Sequence, residues 1–148
     1  AVKGDPYVIE YNCRLGDPES EVILPRLKSD ILELFDGLAT NTLSERDVEI
    51  DPRSASTVML VSGGYPEKYK NGEEITIDEA INNDLVFHAG TKYVNDKIVT
   101  NGGRVMSITA YGKNLETALK NSYTTLNGVN FNEMYFRKDI GKDLIKKK

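Results

Sequence analysis

The sequence predicts an α+β chain in which a strand and a helix precede a compact, strand-rich unit. Three observations carry that prediction. Tyr7, Ile9 and Tyr11 alternate with Val8, Glu10 and Asn12, the period of a strand. Ile31, Leu34, Phe35 and Leu38 recur at i, i+3, i+4 and i+7, the period of a helix with one apolar face. From Ser56 onward short apolar runs alternate with Asn, Asp and Gly pairs, and one long amphipathic stretch follows Asn114.

The elements follow in order. The strand Tyr7–Asn12 runs into a polar loop in which Gly16-Asp17-Pro18 is turn chemistry. Glu19–Leu27 is apolar but interrupted by Pro25. Ser29 reads as an N-cap, with Asp30 and Glu33 in the first turn and the 31–38 face directed into a core. A polar stretch then separates 1–40 from 54–148, so 41–53 is read as a linker with a short strand at Val48–Ile50. Ser56–Ser62 reads as a buried strand and Gly63–Gly72 as a loop. Thr76-Ile77-Asp78-Glu79 is a capping-box pattern that opens a short helix to Asn82. A meander is expected next. Leu85–Ala89 leads to Lys92–Val94, then to Lys97–Thr100 across Asn95-Asp96, then to Arg104–Tyr111 across Asn101-Gly102. Asn114 caps a final helix with Leu115, Ala118, Leu119, Ser122 and Leu126 on one stripe. The strand Val129–Phe131 and a polar tail close the sequence.

A length of 148 residues suits one domain, or one domain plus a piece of another. The net charge of −4 argues against a nucleic-acid partner. An anionic ligand must then be held by local cations or a metal rather than by the overall field. Lys146–Lys148, the only basic run, reads as a solvated tail. Cys13 is alone, so no disulfide framework exists and a reducing, cytoplasmic setting is expected. No signal peptide or membrane span is legible.

Two constellations carry candidate chemistry. Glu10 and Asn12 share a strand face, and a half-buried carboxylate beside an amide needs a partner. Their oxygens are hard donors of the kind Mg²⁺ takes; the alternative is an edge strand with polar residues facing water. Arg14 offers a planar fork for a phosphate, or staples the loop by pairing with Asp17 or Glu19. Arg104 follows Gly102-Gly103; turn amides plus a guanidinium make an anion site, and the alternative is a solvated hairpin arginine. His88, the only histidine, has no readable nucleophile or metal partner and reads as structural. Arg137 is expected to pair with Asp139 and hold the tail down.

The wording E-x-N-x-R-x-G-D-P-E at 10–19 resembles the last catalytic strand and loop of the ATP-grasp ligases, specifically the phosphoribosylamine–glycine ligase family. Gly64-Tyr65-Pro66, Phe87-His88-Ala89-Gly90-Thr91, Gly102-Gly103-Arg104-Val105 and Arg137 with Asp139-Ile140-Gly141 match the same family, in its order. The resemblance implies that 1–40 is the end of an ATP-grasp lobe and that 54–148 is a small, barrel-like C-terminal domain with two or three helices. It implies the joining of glycine to 5-phosphoribosylamine through a glycyl phosphate, with ATP as substrate and Mg²⁺ or Mn²⁺ held by Glu10 and Asn12. Arg14 would be catalytic and, with Asp17, Pro18, Glu19 and Arg104, would contact substrate. N-terminal substrate and nucleotide lobes would be missing partners, leaving the piece inactive alone. The rival readings are another ATP-grasp ligase or carboxylase, and a non-catalytic β-rich docking module.

Overall fold

The computed structural model describes residues 3–81 and 85–145. Its centre is β6 (Arg104–Gly112), which pairs antiparallel with β1 (Ser54–Val61) on one side and β3 (Leu85–His88) on the other. From Val105 to Ala110 every residue of β6 is buried. A strand covered on both faces cannot show a clean alternation, and Val-Met-Ser-Ile-Thr-Ala meets that condition with small or apolar side chains. Helix α3 (Leu115–Leu126) covers one face. Val58 and Leu60 of β1 join Met106, Ile108, Leu126, Val129 and Phe131 in the core. A buried hydroxyl pair, Ser56 with Ser122 at 2.6 Å, stitches helix to sheet. Asn114 caps α3 by accepting from the Thr117 amide at 2.9 Å, and Ala118, Leu119, Ser122 and Leu126 are its buried stripe, as the sequence predicts.

The other face of the sheet is covered by the N-terminal part of the chain. Helix α1 (Ser20–Ile23) is followed by a 3-10 turn, Leu24–Arg26, that accommodates Pro25. The Thr109 hydroxyl of β6 donates to the Glu21 carbonyl at 2.9 Å, and the Tyr111 hydroxyl to the Pro25 carbonyl at 2.5 Å. Leu27 bridges Ile50 antiparallel, so the strand expected at Val48–Ile50 reduces to one bridge.

Several predicted elements change. Tyr7–Asn12 forms no strand; its alternation has no sheet among the described residues to act on, and Ile9 and Tyr11 are 97% and 88% exposed. Helix α2 (Ile31–Ala39) forms, but Asp30 rather than Ser29 caps it, accepting from the Leu32 amide at 2.8 Å. Ser29 instead bonds Asp47 and Glu49. The apolar face of α2 is not core. Ile31, Phe35 and Leu38 are exposed, Leu34 is half-buried, and only Gly37 is buried.

The capping box at Thr76 is overridden. Thr76–Ile77 becomes β2 and pairs with β7 (Val129–Asn130), while Asp78 takes the capping role for a 3-10 turn at Glu79–Ile81. Asn82 and Lys146–Lys148 lie outside the described residues.

The meander is also rearranged. β4 (Thr91–Val94) and β5 (Lys97–Thr100) form their own hairpin, with positive φ at both Asn95 and Asp96. β5 does not pair with β6 across Asn101-Gly102. The Asn101 amide bonds the Gly90 carbonyl at 2.7 Å, and Gly102 packs so closely on Gly90 that a Cβ on Gly90 would overlap its backbone. Two stacked loops therefore replace the expected two-residue turn. The described strands make one three-stranded and two two-stranded sheets, none of which closes, so the barrel-like expectation is not met; mixed helix and sheet is what stands.

Candidate substrate and metal site

The loop between Asn12 and α1 is built from its own backbone. The Ser20 amide and hydroxyl both donate to the Gly16 carbonyl, at 2.9 and 2.8 Å. The Glu19 carboxylate reaches back to accept from the Gly16 amide at 3.2 Å. This is a turn leading into the first turn of α1, with Glu19 serving the loop's own geometry. Asp17 and Pro18 are half-buried in it, joined by a cis peptide bond.

The predicted metal residues meet. Asn12 Nδ2 donates to Glu10 Oε1 at 3.2 Å, and both side chains are exposed on an extended segment. Arg14 is exposed and its guanidinium donates to the Leu15 carbonyl at 2.7 Å; among the described residues it pairs with neither Asp17 nor Glu19. No group of three His, Cys, Asp or Glu side chains among the described residues could hold a metal by itself.

Arg104 lies 87 positions from Asp17 in sequence and touches it in space. Its Nη1 donates to the Asp17 carbonyl at 2.8 Å and its Nη2 lies 3.3 Å from Asp17 Oδ2. The other carboxylate oxygen, Asp17 Oδ1, is buried without a partner among the described residues. The Gly102-Gly103 turn beneath Arg104 is pinned by Ser62, whose amide donates to the Gly103 carbonyl at 2.8 Å and whose hydroxyl donates to Gly102 at 2.9 Å. The Tyr65 ring lies against Gly103 where any Cβ would overlap it.

Beside this contact opens a cavity of about 330 Å³. Pro18, Tyr65, Pro66, Arg104, Arg137 and Ile140 all line it, with an apolar floor from Val58 and Val61. Residues from four of the five sequence motifs therefore meet at one place. Gly90, from the fifth, donates its amide to the Arg104 carbonyl at 2.9 Å and so supports the same turn. The sequence places Tyr65-Pro66 in the Gly63–Gly72 loop and gives Tyr135 and Phe136 no site role, although all four line the cavity. The motif membership of Tyr65 was the one available signal.

Arg137 binds Asp139 through two bonds of 3.0 and 2.9 Å, the pairing the sequence suggests, and this holds the Asp139 carboxyl below its usual range. His88 Nδ1 sits 3.0 Å from the Thr91 hydroxyl at the hairpin edge, in keeping with a structural histidine.

The family model described as phosphoribosylglycinamide synthetase, C domain, matches residues 55–143. The chain belongs to this family. It is 46% identical to the phosphoribosylamine–glycine ligase of Chlorobaculum tepidum, over 94% of this chain and 33% of that protein. It is 44% identical to a bifunctional purine biosynthetic protein of Pichia angusta, over 98% of this chain and 19% of that one. The crystal structure of the Thermotoga maritima phosphoribosylamine–glycine ligase superposes with a TM-score of 0.70 at 36% identity, covering 93% of this chain and 34% of its own. The chain thus spans about a third of the length of the ligases it matches. The synthetase C-domain match begins at residue 55, one residue into β1, so the E-x-N-x-R-x-G-D-P-E loop precedes it. Arg104 joins that loop to the Gly102-Gly103 turn inside the matched region.

Proposed function

We propose that this chain is the C-terminal part of a phosphoribosylamine–glycine ligase. Residues 1–40 end an ATP-grasp lobe, 41–53 link, and 54–148 form the C domain. The reaction moves the γ-phosphoryl group of ATP to the glycine carboxylate, releasing ADP. The amine of 5-phosphoribosylamine then attacks the glycyl carbonyl carbon, and phosphate leaves as the amide bond forms. The observation that carries the reading is the match to named ligases over nearly the whole chain, across both the loop and the C domain.

The residues support specific roles. Glu10 and Asn12 present a carboxylate and an amide within hydrogen-bond reach, which suits a hard cation whose remaining ligands are phosphates or a neighbouring lobe. With Mg²⁺ or Mn²⁺ bound there, the charge on the transferring phosphates is neutralised. Arg14 is the catalytic candidate: its exposed, permanently charged fork suits the acyl phosphate. Pro18 and Arg104 line the cavity that would take the phosphoribosyl substrate, and Asp17 and Glu19 shape the loop beside it. The exposed apolar residues of α2 and of Tyr7–Tyr11 are the faces on which the N-terminal lobes pack. No helix among the described residues is long and apolar enough to cross a membrane.

The test is ADP release. The full-length protein should sustain ADP release over many turnovers only with both glycine and 5-phosphoribosylamine present, because the amine must consume the glycyl phosphate, and the 148-residue chain alone should form none above background. Glycine-dependent ADP formation by the isolated chain would overturn the division of labour proposed here.

A further inference from the structure

Three side chains of β6 donate to three main-chain carbonyls of the N-terminal segment. Arg104 reaches Asp17, Thr109 reaches Glu21 and Tyr111 reaches Pro25, at 2.8, 2.9 and 2.5 Å. The accepting carbonyls fall four residues apart, one per turn as the chain winds through the loop, α1 and the 3-10 turn. Bonds to main-chain carbonyls fix where a backbone lies without regard to the side chain at that position. β6 therefore acts as a rail that sets the position of residues 17–25.

Arg104 is the end of the rail nearest the chemistry. Asp17 lies three positions after Arg14, in the loop that follows Glu10 and Asn12. Arg104 starts from a rigid base, because Ser62 and Gly90 fix the turn and strand start that carry it. Two of its nitrogens are committed to Asp17, one to the carbonyl and one to the carboxylate. A planar fork on a fixed base restrains orientation as well as distance. The second oxygen of Asp17 is already buried without a partner, so removing the guanidinium would leave the whole carboxylate poorly satisfied and the loop free to shift.

We propose that Arg104 is a positioning residue. By clamping Asp17, it holds the metal- and phosphate-facing segment Glu10–Arg14 in register with the C domain. This rests on the ligase reading above and replaces a direct phosphate contact as the main work of Arg104.

The experiment uses the full-length protein with Arg104→Gln, Arg104→Lys, Asp17→Asn and the Arg104→Gln/Asp17→Asn pair. Displacing a catalytic loop lowers turnover, so Arg104→Gln should reduce kcat about tenfold or more and raise the Mg²⁺ concentration needed for half-maximal rate. Asp17→Asn takes the charge from the carboxylate but leaves the main-chain carbonyl bond, so its loss should be smaller, and the double variant should be no worse than Arg104→Gln alone, because both act on one contact. Arg104→Lys should restore part of the loss. A rise confined to the KM for 5-phosphoribosylamine, additive with Asp17→Asn, would mean direct substrate contact and overturn the proposal. So would a fall in Tm with unchanged kinetics. If the unmodified protein shows no ligase activity, the ligase reading fails and the clamp is decided separately by hydrogen exchange. Amides 14–20 should exchange faster in Arg104→Gln while β1 and β6 keep their protection; unchanged exchange at 14–20 overturns it.

Discussion

Asp51 shows how one residue, through both carboxylate and main chain, ties the N-terminal segment to the sheet. Its carboxylate takes three bonds from the Arg53 guanidinium, and its carbonyl accepts from Arg26. Arg53 in turn lies 4.1 Å over the Tyr111 ring. The Arg53 contact holds the Asp51 carboxyl down to about 2. A lowered folded-state pKa contributes stability at pH values above the unfolded value of about 3.9, and that contribution is lost as pH falls through about 2. The Tm advantage of the native chain over Asp51→Asn should therefore be full near pH 5 and shrink steadily below pH 4. An advantage independent of pH would show that the carboxylate charge plays no part. Glu10 is the opposite kind of residue, exposed and bonded only to Asn12 among the described residues. In the full-length protein Glu10→Gln should leave Tm within a degree or two but weaken metal-dependent turnover about tenfold or more, by analogy with losses around other metal sites. Unchanged turnover across a Mg²⁺ titration would reject its role.

At the scale of elements, α3 meets the end of β6 in a close backbone approach. Gly112 is buried, and a Cβ there would overlap the backbone nitrogen of Ala118 in the first turn of α3. Backbone cannot swing aside as a side chain can. Gly112→Ala should therefore push the helix off the sheet and cost about 1–3 kcal/mol in chemical unfolding. Leu126→Ala, at the far end of the same helix and fully buried, should cost about 2–5 kcal/mol by leaving a cavity. A Gly112→Ala protein as stable as the parent would mean that the sheet end yields without loss. The Asn101-Gly102 turn teaches the complementary point. Its dipeptide is a strong local hairpin signal, yet packing on Gly90 redirects the chain and β6 finds β1 and β3 instead.

At the scale of the molecule, the apolar face of helix α2 stands open among the described residues. Phe35 and Leu38 are 57% and 65% exposed, although their spacing is that of a core face. If the N-terminal lobes cover this face, substituting Phe35 by Ser should be nearly neutral in the 148-residue chain, within about 0.5 kcal/mol, as for an exposed site. In the full-length protein the same change should cost about 2 kcal/mol or more, as expected for a buried aromatic. Equal effects in both would mean that the face stays open in the full-length protein. The same logic applies to Tyr7–Tyr11, whose alternation is that of a strand and which joins no sheet among the described residues.

Local chemistry was enough to place several features. Asn114 as a cap, the stripe of α3, the hairpin across Asn95-Asp96 and the pairing of Arg137 with Asp139 each depend on residues within a few positions of one another. The motifs were equally legible, because the E-x-N-x-R-x-G-D-P-E loop and the Gly-Gly-Arg turn are written contiguously. What the sequence could not reveal lies between distant residues. It fell to the tertiary structure to set β6 between β1 and β3, to convert Thr76–Ile77 from a helix start into a strand, and to bring Arg104 onto Asp17. Each of these is decided by which surfaces are buried together. A strand pair or a clamp across 87 positions has no local period, and its energy exists only once the intervening chain has packed.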